Sequence, residues 1–261
     1  MTNRPKIIDT HCHLDIDAFN TDRDEVLHNA RHAGVIAQII PAIEAHGWQR
    51  LLELCAKHSD LYPALGLHPV FLQQHTQADI EQLAAIVKTV QPIAIGEIGL
   101  DFAIKSLDRT RQQQLFEAQL EIAKNVRLPV IIHARKSHDI VIKLLGKHRI
   151  SAGTIHAFSG SLQQGMHYHE MGFKLGFGGM LTFERSRKLR QLAQELPAEA
   201  LVLETDAPDM TVASHRGERN SPQYLPQVLA ALASARDESI EEVARYTTNN
   251  ARAIFHLQEE P

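Results

Sequence analysis

Short apolar runs alternate with longer amphipathic stretches along the whole chain. The runs predict strands near 7–11, 35–41, 62–67, 92–97, 128–133, 153–157, 173–178 and 200–205. Leu128-Pro129-Val130-Ile131-Ile132 is apolar throughout, the pattern of a parallel strand covered on both faces. The stretches between the runs predict helices. Across 79–90, Ile80, Leu83, Ala84, Ile86 and Val87 fall at helical spacing; across 109–125, Leu115, Phe116, Leu120, Ile122 and Ala123 do the same. Ser221-Pro222 predicts a further helix start, with Ser221 as cap and Pro222 in the first turn. Ser239 and Glu242 form the capping-box pattern of the last helix.

Eight strands that each lead into a helix argue for a parallel sheet with right-handed crossovers. Either an open doubly wound sheet or a closed barrel has this order. The polar residues that end the runs decide between them. His11 and His13 close the first run; Glu97, His133, His156 and Asp206 close the fourth, fifth, sixth and eighth. An open sheet keeps strands 1 and 8 too far apart for all six to meet. Closure puts them side by side. The expected architecture is a single (β/α)8 TIM barrel over residues 1–261, with its site at the C-terminal face of the strands.

These six side chains are metal-ligand types. His11 and His13 are spaced i, i+2, so a strand would turn both imidazoles to one face and Cys12 to the other. A carboxylate at Glu97, flanked by glycines, can bridge two cations with its two oxygens. Asp206 is placed to act as general base toward a water acidified by a cation. Glu204 shares the strand face of Asp206. It is expected either to orient a ligand or to pair with a Lys or Arg inside the barrel. A donor set of four imidazoles and two carboxylates favours two divalent cations, with Zn²⁺ expected as bound and Mg²⁺ or Mn²⁺ also accepted. Such a pair, about 3.5–4 Å apart, can clamp the attacking and leaving oxygens of an in-line displacement.

Composition narrows the setting. The 261 residues carry a net charge of −4, so the molecule as a whole is no basic nucleic-acid coat, and any such contact is local. The two cysteines, Cys12 and Cys55, make no disulfide framework and fit a reducing compartment. Met1-Thr2-Asn3-Arg4-Pro5-Lys6 lacks the apolar core of a signal peptide, and no run has the length of a membrane span. A cytoplasmic protein with no membrane and no obligate protein partner is expected. One segment, Thr182 to Arg190, carries four basic residues to one acidic. With Arg135 and Lys136 after His133, it puts Arg187 and its neighbours in reach of phosphates. Phe102 and Phe158 are candidates to stack on a splayed base or to fill the core.

Six motifs together resemble the TatD family of metal-dependent hydrolases: His11-Cys12-His13-Leu14-Asp15, Gly66-Leu67-His68-Pro69, Gly96-Glu97-Ile98-Gly99-Leu100-Asp101, His133-Ala134-Arg135, His156-Ala157-Phe158-Ser159-Gly160 and Glu204-Thr205-Asp206-Ala207-Pro208. The resemblance runs from residue 7 to Asn250-Ala251-Arg252, and the ending Ala207-Pro208-Asp209-Met210 is similar to the YjjV branch. It implies a (β/α)8 barrel and a metal-dependent deoxyribonuclease with 3′–5′ exonuclease action on DNA or another phosphorylated substrate. It implies His11, His13, Glu97, His133, His156 and Asp206 as metal ligands, and His68 as a residue near substrate. Two departures stand out. Ala157 replaces a frequent cysteine, and Phe102-Ala103 replaces a frequent tyrosine pair, so substrate preference transfers less directly than metal binding. Two other classes fit a similar barrel site. One is a hydrolase of another ester, lactone, amide or phosphotriester; many of those carry a modified lysine where this chain has Glu97. The other is a non-catalytic metal-binding protein, which a full ligand set argues against. Fold alone separates none of them.

Overall fold

The computed structural model describes residues 4–258. Met1, Thr2 and Asn3 of the entry segment, and positions 259–261 of the expected domain, lie outside them. The strands are β1 (Ile7–Asp9), β2 (Val35–Pro41), β3 (Leu61–Leu65), β4 (Ala94–Asp101), β5 (Val130–Arg135), β6 (Gly153–Ile155), β7 (Phe173–Phe177) and β8 (Leu201–Leu203). They form one sheet in sequence order, every neighbouring pair parallel. Around it lie α1 (Arg23–His32), α2 (Trp48–Lys57), α3 (Gln77–Val90), α4 (Arg109–Val126), α5 (His138–His148), α6 (Leu162–Glu170), α7 (Arg187–Glu195), α8 (Leu225–Arg236) and α9 (Ile240–Phe255). The architecture is a nearly closed (β/α)8 barrel. Its seam between β8 and β1 is held by Thr10, whose N–H and hydroxyl both donate to Leu203 O, at 3.0 and 2.9 Å.

Apolar contacts account for the layering. Ile39, Ala64, Ala94 and Ile131 meet inside the sheet with Ile254 and Phe255 of α9. Ile8, Ala37 and Val202 meet Ala251 of the same helix. Helix α9 therefore closes the N-terminal end of the barrel. Its Asn250 amide donates to Ala198 O and Leu201 O, and Thr248 donates to Lys6 O. With that end plugged by packing, the C-terminal end is left for polar chemistry.

Several boundaries differ from the pattern reading. Strand β1 stops at Asp9, because Asp9 turns its carboxylate onto the main chain: it accepts from His11 N at 3.2 Å and Thr205 N at 2.9 Å. His11 and His13 thus lie just beyond the strand. Strands β6 and β8 are three residues each, since the chain leaves the sheet to bring His156 and Asp206 over the barrel mouth. Ser221 makes no cap bond. The chain first takes a 3-10 turn over Pro222–Tyr224, and α8 begins at Leu225. Ser239 does cap α9, accepting from Glu242 N at 3.2 Å. Both cysteines are buried and free, Cys12 in the main apolar core.

Candidate metal centre

The loops leaving β1, β6 and β8 and the strand interiors of β4 and β5 bring six side chains together. Past β1 the chain bends at Thr10 but stays anchored: Cys12 N donates to Ile39 O and His13 N to Ala207 O, at 3.1 and 2.8 Å. Both imidazoles turn into the site, and the Nε2 atoms of His11 and His13 lie 3.1 Å apart. His13 Nδ1–H donates to Pro41 O at 3.0 Å, which directs Nε2 into the site.

Glu97 is buried at the centre, and its two oxygens face different partners. Oε2 lies 3.1 Å from His11 Nε2 and 3.6 Å from His13 Nε2. Oε1 lies 3.1 Å from His133 Nδ1 and 3.2 Å from His68 Nε2. Asp206 is divided in the same way. Oδ1 is 3.7 and 3.6 Å from His11 and His13, and Oδ2 is 3.5 Å from His156 Nε2. The His156 ring stacks on His11 with centroids 3.7 Å apart.

The donor set fits a cation. Five pairs among His11 Nε2, His13 Nε2, Glu97 Oε2 and Asp206 Oδ1 measure 3.1–3.7 Å. Tetrahedral coordination at about 2.0–2.1 Å spaces donors about 3.3–3.4 Å apart. Among the described residues, three groups bring ligand atoms within 4.8 Å of one another: His11–His13–Asp206, His11–Glu97–His156 and His68–Glu97–His133. All six side chains expected as ligands fall in these groups, so the site is able to hold metal.

Electrostatics agree. Burial opposes charge on Glu97 and Asp206, but the imidazoles around them outweigh it and hold both carboxyls well below their usual range. Burial likewise opposes charge on His13, yet Asp206, Glu97 and Asp15 raise it to about 9. His11 is pushed down by burial and by His156. Burial opposes charge on His156 and His133 too, yet Glu204 and Asp206 raise the first, and Asp101 and Glu97 the second. The two carboxylates are thus ionised against protonated imidazoles, whose protons a bound cation would displace.

His68 is distinguished from the other histidines by its tautomer. Val70 N–H donates to its Nδ1 at 3.1 Å, so the proton sits on Nε2 and points at Glu97 Oε1. A protonated nitrogen is a donor, not a ligand. The spatial group that contains His68 is therefore better read as Glu97 and His133 with a hydrogen-bonding neighbour.

Two carboxylates stand behind the histidines. Glu204 lies 3.1 Å from His156 Nδ1, accepts from Ala157 N at 2.6 Å and pairs with no Lys or Arg among the described residues. Gly176 makes room for it, since a Cβ there would sit 2.1 Å from Glu204 Oε2. Asp101 belongs to the Gly96–Asp101 motif, and the sequence alone assigns it no role. It lies 3.1 Å from His133 Nε2 and 3.7 Å from Arg135 Nη1. The signal was available: Glu97 and Asp101 are four residues apart on one strand beside β5. Arg135 and Arg187 are exposed, outside the ligand cluster. Phe158 is buried, edge-on to His138 and Tyr168, and Arg109 covers the face of Phe102 at 4.8 Å. Phe158 thus packs in the core, and Arg109 occupies one face of Phe102.

A family model described as "TatD related DNase" matches residues 8–256. The Escherichia coli K12 protein called "uncharacterized metal-dependent hydrolase YjjV" is 40% identical over 255 residues, covering 97% of this chain and 98% of its own. A 1.8 Å crystal structure of that homologue superposes with a TM-score of 0.94 over 97% of this chain and 99% of the other. The Salmonella typhimurium protein called "3′-5′ ssDNA/RNA exonuclease TatD" is 32% identical over 259 residues, covering 96% of this chain and 99% of its own.

Proposed function

This chain belongs to the TatD-related DNase family, and on that premise we propose that it is a phosphodiesterase that shortens single-stranded DNA from its 3′ end with two divalent cations, Zn²⁺ as bound. The observation that carries the reading is the division of Glu97, one oxygen toward His11 and His13 and the other toward His133. A bridging carboxylate needs that arrangement. His11, His13, Glu97 and Asp206 would hold one cation; Glu97, His133 and His156 the other, which leaves Asp206 Oδ2 free to take a proton. Bound there, the pair supplies Lewis-acid charge and an acidified water for in-line attack at phosphorus.

The remaining work falls to the chain. Asp206, ionised at neutral pH, accepts the proton of the attacking water. Glu204 and Asp101 hold His156 and His133 by their outer nitrogens and keep both rings in register. His68 Nε2–H serves as a fixed donor, to Glu97 at rest and to a non-bridging phosphate oxygen when substrate is bound. Arg135 and Arg187 are assigned to phosphates at the mouth. All eight strands share one sheet, in keeping with a single catalytic domain.

Among the described residues no helix is long and apolar enough to cross a membrane. The test is an assay of metal-reconstituted protein on end-labelled single-stranded DNA, duplex DNA, RNA, a simple phosphodiester and a simple amide. The reading expects 5′-labelled single strands to shorten stepwise from the 3′ end. Turnover of the amide alone would replace it with the other hydrolase class.

A further inference from the structure

Beyond the metal centre, two cavities on the same face of the barrel meet at Lys188. The first, about 340 Å³, is walled by Phe158, Met180, Leu189, Leu192 and Met210. Arg185, Arg187 and Lys188 stand at its edge. The second, about 640 Å³, is polar and is lined by Arg135, Lys136, His138, Ser159, Ser161 and Lys188. Lys188 Nζ donates to Ser159 O at 2.9 Å, and both residues border both cavities, so this contact is the bar between them.

Chain neighbours link the lining of both cavities to the metal centre. Ala157 of the first directly follows His156, and Met210 directly follows Asp209, which lines the metal cavity. Arg135 of the second lies two residues after His133. The charge between them is unbalanced. Arg185, Arg187, Lys136 and Lys188 make no ion pair with the described residues. The acid of the second cavity, Asp139, is occupied by Gln164 Nε2 at 2.6 Å. His138 is buried there with an unpartnered Nε2, and burial and Lys188 push it down to about 4, so it is a neutral hydrogen-bonding group. An apolar slot with a cationic edge, next to a polar, cation-lined hollow, matches the alternation of base and phosphate along a nucleic-acid strand.

We infer that these cavities are the subsites for the nucleotide beside the cleaved bond: the apolar cavity takes one unpaired base, and the polar cavity takes the adjoining phosphate. The inference rests on the strand-cleaving reading above. The two methionines adapt to a purine or a pyrimidine, so the slot selects for an unpaired base without selecting its identity. A paired base must leave its stack to enter, which disfavours the duplex interior.

The test uses the metal-loaded protein and a short single-stranded oligonucleotide, with one abasic residue moved stepwise from the 3′ end. One position is expected to raise KM about tenfold or more, in line with the loss of a base contact. An uncharged methylphosphonate at the adjoining linkage should raise KM and flatten its salt dependence. In Leu189→Trp the slot is filled, so the intact strand should bind no better than the abasic one. The substrate scan on the natural protein needs no variant to fold. A KM indifferent to every abasic position, or Leu189→Trp that keeps the full abasic penalty, overturns the base subsite. If a simple phosphodiester is hydrolysed and no oligonucleotide is, the strand-cleaving reading itself fails and takes these subsites with it.

Discussion

Asp206→Asn separates proton acceptance from shape. Asp206 has φ +58°, in the left-handed region that Asn adopts as readily as Asp. Its main-chain N–H bonds His11 O at 2.9 Å, and the substitution leaves that bond in place. Asn can keep an oxygen where Oδ1 stands, 3.6–3.7 Å from His11 and His13. Its amide then faces His156, 3.5 Å from Oδ2, and can take no proton. Burial would raise the Asp206 carboxyl, but His156, His13 and His11 outweigh it, so the base form is present throughout the neutral range. Removing a positioned base costs about 10²–10⁴ in rate, or about 2.7–5.4 kcal/mol on the barrier. Steady-state kinetics at saturating metal, with metal content measured on the same sample, should show kcat reduced by that factor or more. At least one cation should remain bound, and the thermal transition should stay close to that of the natural protein. Because Asp206 does not titrate near neutrality, the acidic limb of the natural enzyme's pH profile should not follow it. Near-natural kcat for Asp206→Asn with full metal occupancy would refute the assignment.

Glu97→Gln loses the charge that faces both halves of the site. Metal content should fall below two per chain and kcat by more than about 100-fold, since losing even an outer partner of a metal ligand costs about 10–100-fold and Glu97 is proposed as a ligand itself; elemental analysis and turnover measure both. Chelation should abolish hydrolysis and a divalent cation should restore it; full activity in verified metal-free protein would exclude the mechanism. Asp9 is raised from 3.8 to about 7 by burial, with its Thr205 and His11 hydrogen bonds opposing. The folded state then holds a proton that the unfolded state has released. This contribution is complete below about pH 4 and is lost as pH rises toward 7, at about 1.4 kcal/mol per unit. Asp9→Asn removes it, so in metal-free protein Tm of the variant minus Tm of the natural chain should rise from pH 4 to 7; parallel curves would show that Asp9 titrates normally.

What the pattern of residues reveals here, and what it hides, has a physical basis. Ligand-type residues ending five separate strands pointed to a closed barrel, because only closure lets β1 and β8 share a mouth. The spacing of His11 and His13 survives as a shared direction even though β1 ends at Asp9, since main-chain hydrogen bonds to Ile39 O and Ala207 O anchor Cys12 and His13. The end of β1 was hidden because a side chain sets it: Asp9 competes for the main-chain N–H groups of His11 and Thr205. Asp101 was hidden for a related reason. Its partner His133 lies on the neighbouring strand, and a register is not written in either strand alone. The tautomer of His68 depends on a main-chain N–H two residues on, which only the folded turn supplies. Ser221 looked like a cap because its residue type and the following proline fit one, but the 3-10 turn intervenes.

The central claim is that Glu97 bridges two cations. Anomalous scattering from a crystal of the metal-loaded protein, collected at the metal edge, locates them directly. The account predicts two peaks, one among His11, His13, Glu97 and Asp206 and one among Glu97, His133 and His156. A single peak with Glu97 bound through one oxygen, or a second peak away from Glu97, would contradict it.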